Sequence, residues 1–377
     1  MSIISGLKKS RLWLLLFASL IIAAVMKLPE HDHSEKRFPK PEIEFQPKSY
    51  ICYRTSAPIR IDGELTEFDW EKSEWTDDFV DIEGGFKPLP RHRTRAKMLW
   101  DDQYLYIAAE LEEPHVWATL TQRDTVIFYD NDFEVFIDPN GDSHQYYELE
   151  INALGTEWDL LLVKPYRDGG PAINGWDIHG LKTGVHVNGT INQPTDNDVG
   201  WTVEIALPWT ALRECAHKAT PPGHGDIWRI NFSRVQWQTE VQSGRYRKII
   251  DPATGRNLPE DNWVWSPQSL IDMHYPEMWG FVQFSTQTIG NGKELFLFPQ
   301  SEAVKWALRQ LYYQQQTHFL NHNSFGNNLA ELELNELQVN NETVSPKIKT
   351  GWRQFEARLS LYGETWFINQ DGKTWQE

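Results

Sequence analysis

The chain has 377 residues and a formal net charge of −17, which excludes a nucleic-acid partner, because phosphate backbones are bound by basic surfaces. A hydrophobic content of 40% excludes wholesale disorder, and the length suits one large domain with an appendage. The 18 tryptophans, beside 13 tyrosines and 18 phenylalanines, favour recognition of flat apolar ligand faces as well as core packing.

In chain order, Lys8, Lys9 and Arg11 precede an apolar run from Leu12 to Met26. That is the charge pattern of a secretory signal, and the run is shorter than the roughly 20 residues of a spanning helix. Residues 1–28 are therefore expected to be a signal peptide or an uncleaved N-terminal membrane anchor, and the remainder exported to a periplasmic, extracellular or membrane-anchored position. No cysteine follows the run closely, which excludes lipid attachment of the bacterial kind. Residues 29–49, rich in Pro, Lys, Glu and His, read as a linker in which His31 and His33 are solvated. In an exported chain Cys52 and Cys215 are expected to form one disulfide, with two buried thiols as the alternative.

Residues 50–286 read as strand after strand. "RAKMLW", "YLYIAAEL", "DFEVFID", "YYELEIN", "GWTVEIALP" and "WRINFSRVQW" are short, aromatic or β-branched, and bounded by Asp, Asn, Gly or Pro. The class is mainly β, a β-sandwich, with one short helix expected at "PWTALREC". Residues 290–377 differ. "SEAVKWALRQLYYQQQTHF" has Val304, Ala307, Leu308, Leu311 and Tyr312 at helical spacing, with Ser301 placed to cap it. Strands follow, the last with an Asp371–Gly372 hairpin turn. This tail is expected to be a separate small α+β unit.

Side chains alternate between the faces of a strand. Phe133, Val135 and Ile137 share one face of their strand, opposed to Glu134, Phe136 and Asp138; Tyr147, Leu149 and Ile151 oppose Glu148, Glu150 and Asn152. "YLYIAAEL", "WTVEIAL" and "RINFSRV" repeat the design. The opposed face is either a solvated surface, the default for an antiparallel sheet, or a ligand-facing one, favoured by its near lack of Lys and Arg. Trp70, Trp100, Trp201 and Trp228 read as core. Trp176, on the Gly-rich loop "GGPAINGWDIHG", reads as either a loop anchor or a binding residue.

The ordered set "IRIDGELTEFDW", "AKMLWDDQYLYIAAELEEP", "DNDFEVFIDPNGD", "YYELEIN", "GWTVEIALPW", "GDIWRINFSRV" and "MHYPEMWGFVQF" resembles the family 9 carbohydrate-binding modules over nearly all of residues 50–285. The resemblance implies a DOMON-like sandwich (of the jelly-roll or immunoglobulin-like kind) that binds sugars between aromatic rings and polar side chains. It also implies association with xylan-degrading enzymes, and structural calcium. Glu134 matches the family's sugar-bonding glutamate and Asn152 its asparagine. Glu150 stands where the family has arginine, and Phe128, Tyr129, Met273 and His274 stand near its two clamping tryptophans. The carbohydrate-binding set expected on this basis is Glu134, Glu150, Asn152, Tyr129, Trp176 and His274.

Asp138, Asn140 and Asp142 in "DPNGDSH" resemble the opening of a calcium loop and equally make good turn chemistry. No zinc spacing, phosphate loop or dinucleotide fingerprint occurs, so no cofactor is required beyond possible structural calcium. A haem ligand pair has only the adjacent Met273 and His274 to draw on. The expected function is exported saccharide binding in polysaccharide (xylan-type) catabolism, with an oligo- or polysaccharide and a polysaccharide-degrading enzyme as partners. A scaffold or assembly protein without sugar affinity is the alternative. Glycoside hydrolysis on this chain is the remaining one, since it needs two carboxyl groups across the scissile bond.

Overall fold

Alternating apolar and polar residues become strands in the computed structural model, which describes residues 36–377. The segment expected to act as signal or anchor, with His31 and His33, lies outside the described residues. Among these, no helix is long and apolar enough to cross a membrane.

The chain forms β1 (Ser49–Arg54), helix α1 (Phe68–Lys72), β2 (Val80–Asp81), β3 (Thr94–Trp100), β4 (Tyr104–Glu112), β5 (Asp132–Asp138) and β6 (Tyr146–Asn152). It continues through β7 (Glu157–Leu162), β8 (Ala172–Ile173), β9 (Lys182–Asn188), β10 (Gly200–Pro208), α2 (Trp209–Leu212) and β11 (Ile227–Gln236). The hairpin of β12 (Thr239–Gln242) and β13 (Arg245–Lys248) projects from it before β14 (Asp261–Val264) and β15 (Gly280–Thr288). The hydrogen-bonded order is β8-β7-β6-β5-β11-β15-β1-β3-β4-β10-β9, with β14 on β11 and β2 on β14. Within this path β1 is parallel to both neighbours.

The path wraps around one core. Phe133, Val135 and Ile137 of β5, Tyr147, Leu149 and Ile151 of β6, and Ile230 and Phe232 of β11 meet Met98, Trp100, Leu105, Ile107, Val203 and Ile205 from the other layer. Each such side chain, fully buried, contributes roughly 1.5–3 kcal/mol. The core faces are those the alternation assigns. Trp237 and Trp265 are buried as well.

After the sandwich comes α3 (Gln300–His322), then β16 (Leu337–Val339), β17 (Glu342–Val344), β18 (Lys347–Thr350), β19 (Phe355–Leu361), β20 (Glu364–Asn369) and β21 (Thr374–Gln376). Pro299, not Ser301, occupies the cap position of α3, and no side chain caps it. The hairpin turn falls at Gly372, where φ is +71° and a Cβ would come within 2.5 Å of Arg309 Nη1. The left-handed φ favours glycine at this turn.

Three sequence expectations are corrected here. The tail is not a separate unit, since residues 38–377 form one compact body. The expected linker is packed from Phe38 onward: Phe45 stacks on Trp306 at 4.4 Å, and Phe38 meets the Tyr312 ring edge-on at 5.7 Å. Its three apolar residues, Phe38, Ile43 and Phe45, lack periodicity but insert one by one against α3 and its neighbours. Cys52 and Cys215 are not a disulfide; both are free, buried thiols. Cys52 is held in the core on β1, while Cys215 sits beyond α2 with its N–H bonded to Tyr147 Oη (3.0 Å).

Buried charges fasten α3 to the sandwich. Arg167, beyond β7, donates from Nη2 to both oxygens of Glu277 (2.8 Å each), and Tyr313 of α3 donates to the same carboxylate. Arg229 of β11 donates to Glu302 of α3 (2.7 Å) and to the Trp279 carbonyl (2.7 Å). Burial alone would raise the Glu277 carboxyl, but Arg167 and Arg309 bring it down to about 2. Its contribution is therefore complete above the unfolded value near 4.5 and is lost as pH falls through about 2. Glu277→Gln should cost about 3–5 kcal/mol at neutral pH, because it leaves Arg167 buried without its counter-charge. In urea unfolding the gap between parent and variant should close as pH is lowered from 5 towards 2; a gap constant over that range would contradict this role.

Candidate functional site

The outward faces of β5 and β6 bear the acids. Register sets Glu134 directly opposite Glu150, Phe136 opposite Glu148, and Ser233 of β11 on the other side of Glu134. Like charges directly opposite one another destabilise a sheet, so this arrangement needs a reason beyond folding. The face is not solvated either. Glu134, Glu148 and Glu150 are 5%, 6% and 1% exposed, because loops from elsewhere in the chain rise around them.

The result is a cavity of about 250 Å³. Its floor is Glu134, Glu148 and Glu150; its walls are Phe128, Phe136, Trp158, Tyr166 and His274, and its rim carries Glu260, Asn262 and Asp272. No lysine or arginine lines it. Trp158 is the β7 partner of Glu150, so its ring stands beside that acid on the same face. The buried indole N–H of Trp158 has no partner. Glu150 accepts the Phe128 N–H (3.0 Å), which seats the Phe128 ring at the cavity edge.

Burial pushes the Glu134 carboxyl up to about 7. Burial, reinforced by the charge of Glu134, holds Glu148 and Glu150 well above the usual carboxylate range. His274 is kept neutral: burial, then the nearby Arg167 guanidinium, lowers it to about 3. Its Nδ1 lies 2.9 Å from Tyr146 Oη, and its carbonyl accepts from Arg167 Nη1 (3.0 Å). The wall it forms is thus tied to the buried pair that anchors α3. Such a cavity offers strong acceptors, one free N–H donor and aromatic faces, a set suited to polyhydroxylated ligands.

Of the expected binding residues, the structure brings Glu134, Glu150 and His274 together. The other three lie elsewhere. Asn152 spends its amide on the Leu120 carbonyl (2.9 Å) and Asp130 (3.1 Å), and its oxygen on the N–H groups of Leu154 and Thr156 (3.0 Å each). Tyr129 lines a different groove with Trp117, Tyr246 and Lys248. Trp176 stacks on Tyr147 at 4.9 Å and donates to Glu214 (3.0 Å), anchoring its loop. Sequence reasoning missed Trp158, Tyr166, Glu260 and Asp272. Trp158 was findable, since Trp158, Leu160 and Leu162 alternate in "EWDLLL"; the loop residues carry no local signal.

Asp138, Asn140 and Asp142, expected to open a calcium loop, have intrachain partners in this structure. Both Asp138 oxygens accept backbone N–H groups, from Gly141 (2.9 Å) and Ser143 (2.8 Å). Asn140 donates to Asp142 (2.9 Å), which also pairs with Lys373 (3.3 Å). The turn is a docking point for the tail: Lys305 donates to the Gly141 carbonyl (3.2 Å) and Arg309 to Ser143 Oγ (2.9 Å). Of the possible haem pair, Met273 packs among Ile82, Phe136 and Trp279, and His274 is engaged by Tyr146.

Comparison with known proteins follows the same outline. The chain is similar to the exoglucanase XynX of Acetivibrio thermocellus, 29% identical over 118 residues, which are 31% of this chain and 9% of that protein. It is 27% identical over 155 residues to the endo-1,4-beta-xylanase A of Thermoanaerobacterium saccharolyticum, covering 41% of this chain and 10% of that one. It thus spans about a tenth of the length of these curated relatives. Among solved structures it is similar to a family 9 carbohydrate-binding module from Caldicellulosiruptor kristjanssonii in complex with cellotriose. That match has 16% identity and a TM-score of 0.40, over 65% of this chain and 99% of the other. Residues 61–225 match the family described as carbohydrate family 9 binding domain-like.

Proposed function

We propose that the cavity over β5 and β6 binds a saccharide, and that the chain serves as an exported, non-catalytic binding protein in the breakdown of xylan-type polysaccharides. The observation that carries this reading is the joining of Glu134, Glu148 and Glu150 to the rings of Phe128, Trp158 and Tyr166 in one cavity. Carboxyl groups accept hydrogen bonds from sugar hydroxyls and, where burial keeps them protonated, donate to them as well, and rings cover the apolar C–H faces of a pyranose. The family match supports the ligand class. The relatives named as an exoglucanase and a xylanase support the pathway, and the small share of their length that aligns supports an accessory role. Export rests on the flanked apolar run Leu12–Met26. Binding is favoured over cleavage because Glu134 and Glu150 stand side by side on adjacent strands of one floor, whereas hydrolysis uses carboxyls on opposite sides of the bond.

Trp158→Ala should weaken saccharide binding by about 1–2 kcal/mol, roughly five- to thirtyfold, in calorimetry with xylo- and cello-oligosaccharides. Phe128→Trp should tighten it, since an indole there offers a wider stacking face. Trp176→Phe, remote from the cavity, should leave affinity unchanged while lowering the melting temperature. If the parent binds no glycan in an array, the scaffold reading replaces this one; if Trp176→Phe alone loses binding, the site lies on that loop.

A further inference from the structure

The β12–β13 hairpin builds a second concave surface. Tyr246 and Lys248, two residues apart on β13, share one of its faces. Tyr246 is buried, and its Oη lies 3.0 Å from His115 Nδ1, which holds that face against the body. Lys248 is thereby carried over the ring of Trp237, with Nζ 3.2 Å from its centroid, 5.7 Å from that of Tyr129 and 5.9 Å from that of Trp117. The groove beside it has a volume of about 550 Å³ and includes Trp117, Thr119, Tyr129 and Lys248 in its lining. Phe128 and Tyr129, whose rings meet edge-on at 5.0 Å, divide it from the cavity over β5 and β6: Phe128 lines the cavity and Tyr129 the groove.

Lys248 donates no hydrogen bond and joins no ion pair. Every other buried or half-buried lysine and arginine between residues 49 and 288 has an acceptor, as Lys97 has the Trp70 carbonyl and Arg234 has Glu113. Asp130, whose charge Lys248 feels most, has its oxygens engaged by Thr119, Leu120 and Asn152. Burial lowers the Lys248 ammonium to about 8, so it still carries its charge at neutral pH. Glu240 stands opposite Arg247 in the hairpin register, so the other two charges of the groove offset each other. An ammonium on a ring face is attracted by the ring yet keeps its N–H donors for a further partner.

We propose that this groove binds the uronic-acid residue of an acidic saccharide, with the carboxylate on Lys248 and the pyranose ring against Tyr129. One unbalanced positive charge matches one carboxylate, and the bond between them is charge-assisted on both sides. Tyr129 is 56% exposed and offers its ring to the apolar face of the sugar. The cavity over β5 and β6, floored by acids and lined by no lysine or arginine, gives a carboxylate no counter-charge. The two concave surfaces thus sort neutral from acidic sugar. The groove uses none of the cavity's acids and does not depend on the cavity's binding a saccharide.

The test is a ligand-observed NMR titration of the full-length chain with methyl glucuronide and methyl glucoside, which differ only in carboxylate against hydroxymethyl. The glucuronide should bind at least about tenfold more tightly, the effect of one charge-assisted hydrogen bond. Lys248→Met, which keeps an apolar stem on Trp237, should abolish that preference, and Lys182→Met, at an exposed lysine over the Tyr104 ring, should leave it. Circular dichroism verifies that each variant is folded; if Lys248→Met is not, Tyr129→Ala replaces it and should weaken the glucuronide. Equal affinity for the two glycosides, or no binding of the glucuronide, would overturn the proposal, as would a preference that survives these variants. Tighter binding of glucose 6-sulfate than of the glucuronide would overturn the carboxylate assignment, and displacement of the glucuronide by xylotriose would move it to the cavity. Xylotriose binding that Trp158→Ala weakens and Lys248→Met keeps leaves the cavity reading standing whichever way the glucuronide result falls.

Discussion

The two-residue period of a β-strand governs both the core and the cavity of this protein. On β5 it sends Phe133, Val135 and Ile137 inward and Asp132, Glu134 and Phe136 outward; on β6 it does the same with Tyr147, Leu149 and Ile151 against Glu148 and Glu150. A slip of one residue in either strand would exchange the two faces and bury the acids in the hydrophobic core. The core thus fixes the register that sets Glu134 opposite Glu150. An unfavourable pairing persists because the favourable burial on the other side of the same strands outweighs it. Local conflict of this kind, sustained by the surrounding structure, is what functional sites exhibit.

The walls depend on a second constraint, remote in sequence. Arg167 donates to Glu277 with one nitrogen and to the His274 carbonyl with the other. Glu277 in turn accepts from Tyr313 of α3. The tail, which contributes no side chain to the cavity lining, therefore stabilises the loop that closes one side of it. The Asp138–Ser143 turn serves the same joint from the opposite end through Lys305 and Arg309. The acids of that turn shape a surface on which the helix docks.

Much of this was legible in the sequence, and the limits follow from range. The strands, their core faces, α2, α3 and the Asp371–Gly372 turn are written in period and turn chemistry that act over a few residues. Glu134 and Glu150 were identifiable for the same reason. His274, by contrast, came only from the family resemblance, and Tyr166, Glu260 and Asp272 reach the cavity through tertiary packing with no local signature. Asn152 misled because a buried asparagine that closes a turn looks, in sequence, like one that faces a ligand. The linker and the separate tail misled because Phe38, Ile43 and Phe45 are too sparse to show a pattern, although each fills a place beside α3. The disulfide rested on compartment alone, and compartment does not determine geometry.

The central claim is that the acid floor and the aromatic wall of one cavity form the ligand site. A crystal structure of residues 36–377 soaked with a xylo- or cello-oligosaccharide tests it most directly. The account predicts a sugar ring against Trp158 and Phe128 with its hydroxyls bonded to Glu134 and Glu148. A sugar seated instead in the groove of Trp117 and Tyr129, with the β5–β6 cavity holding only water, would contradict it.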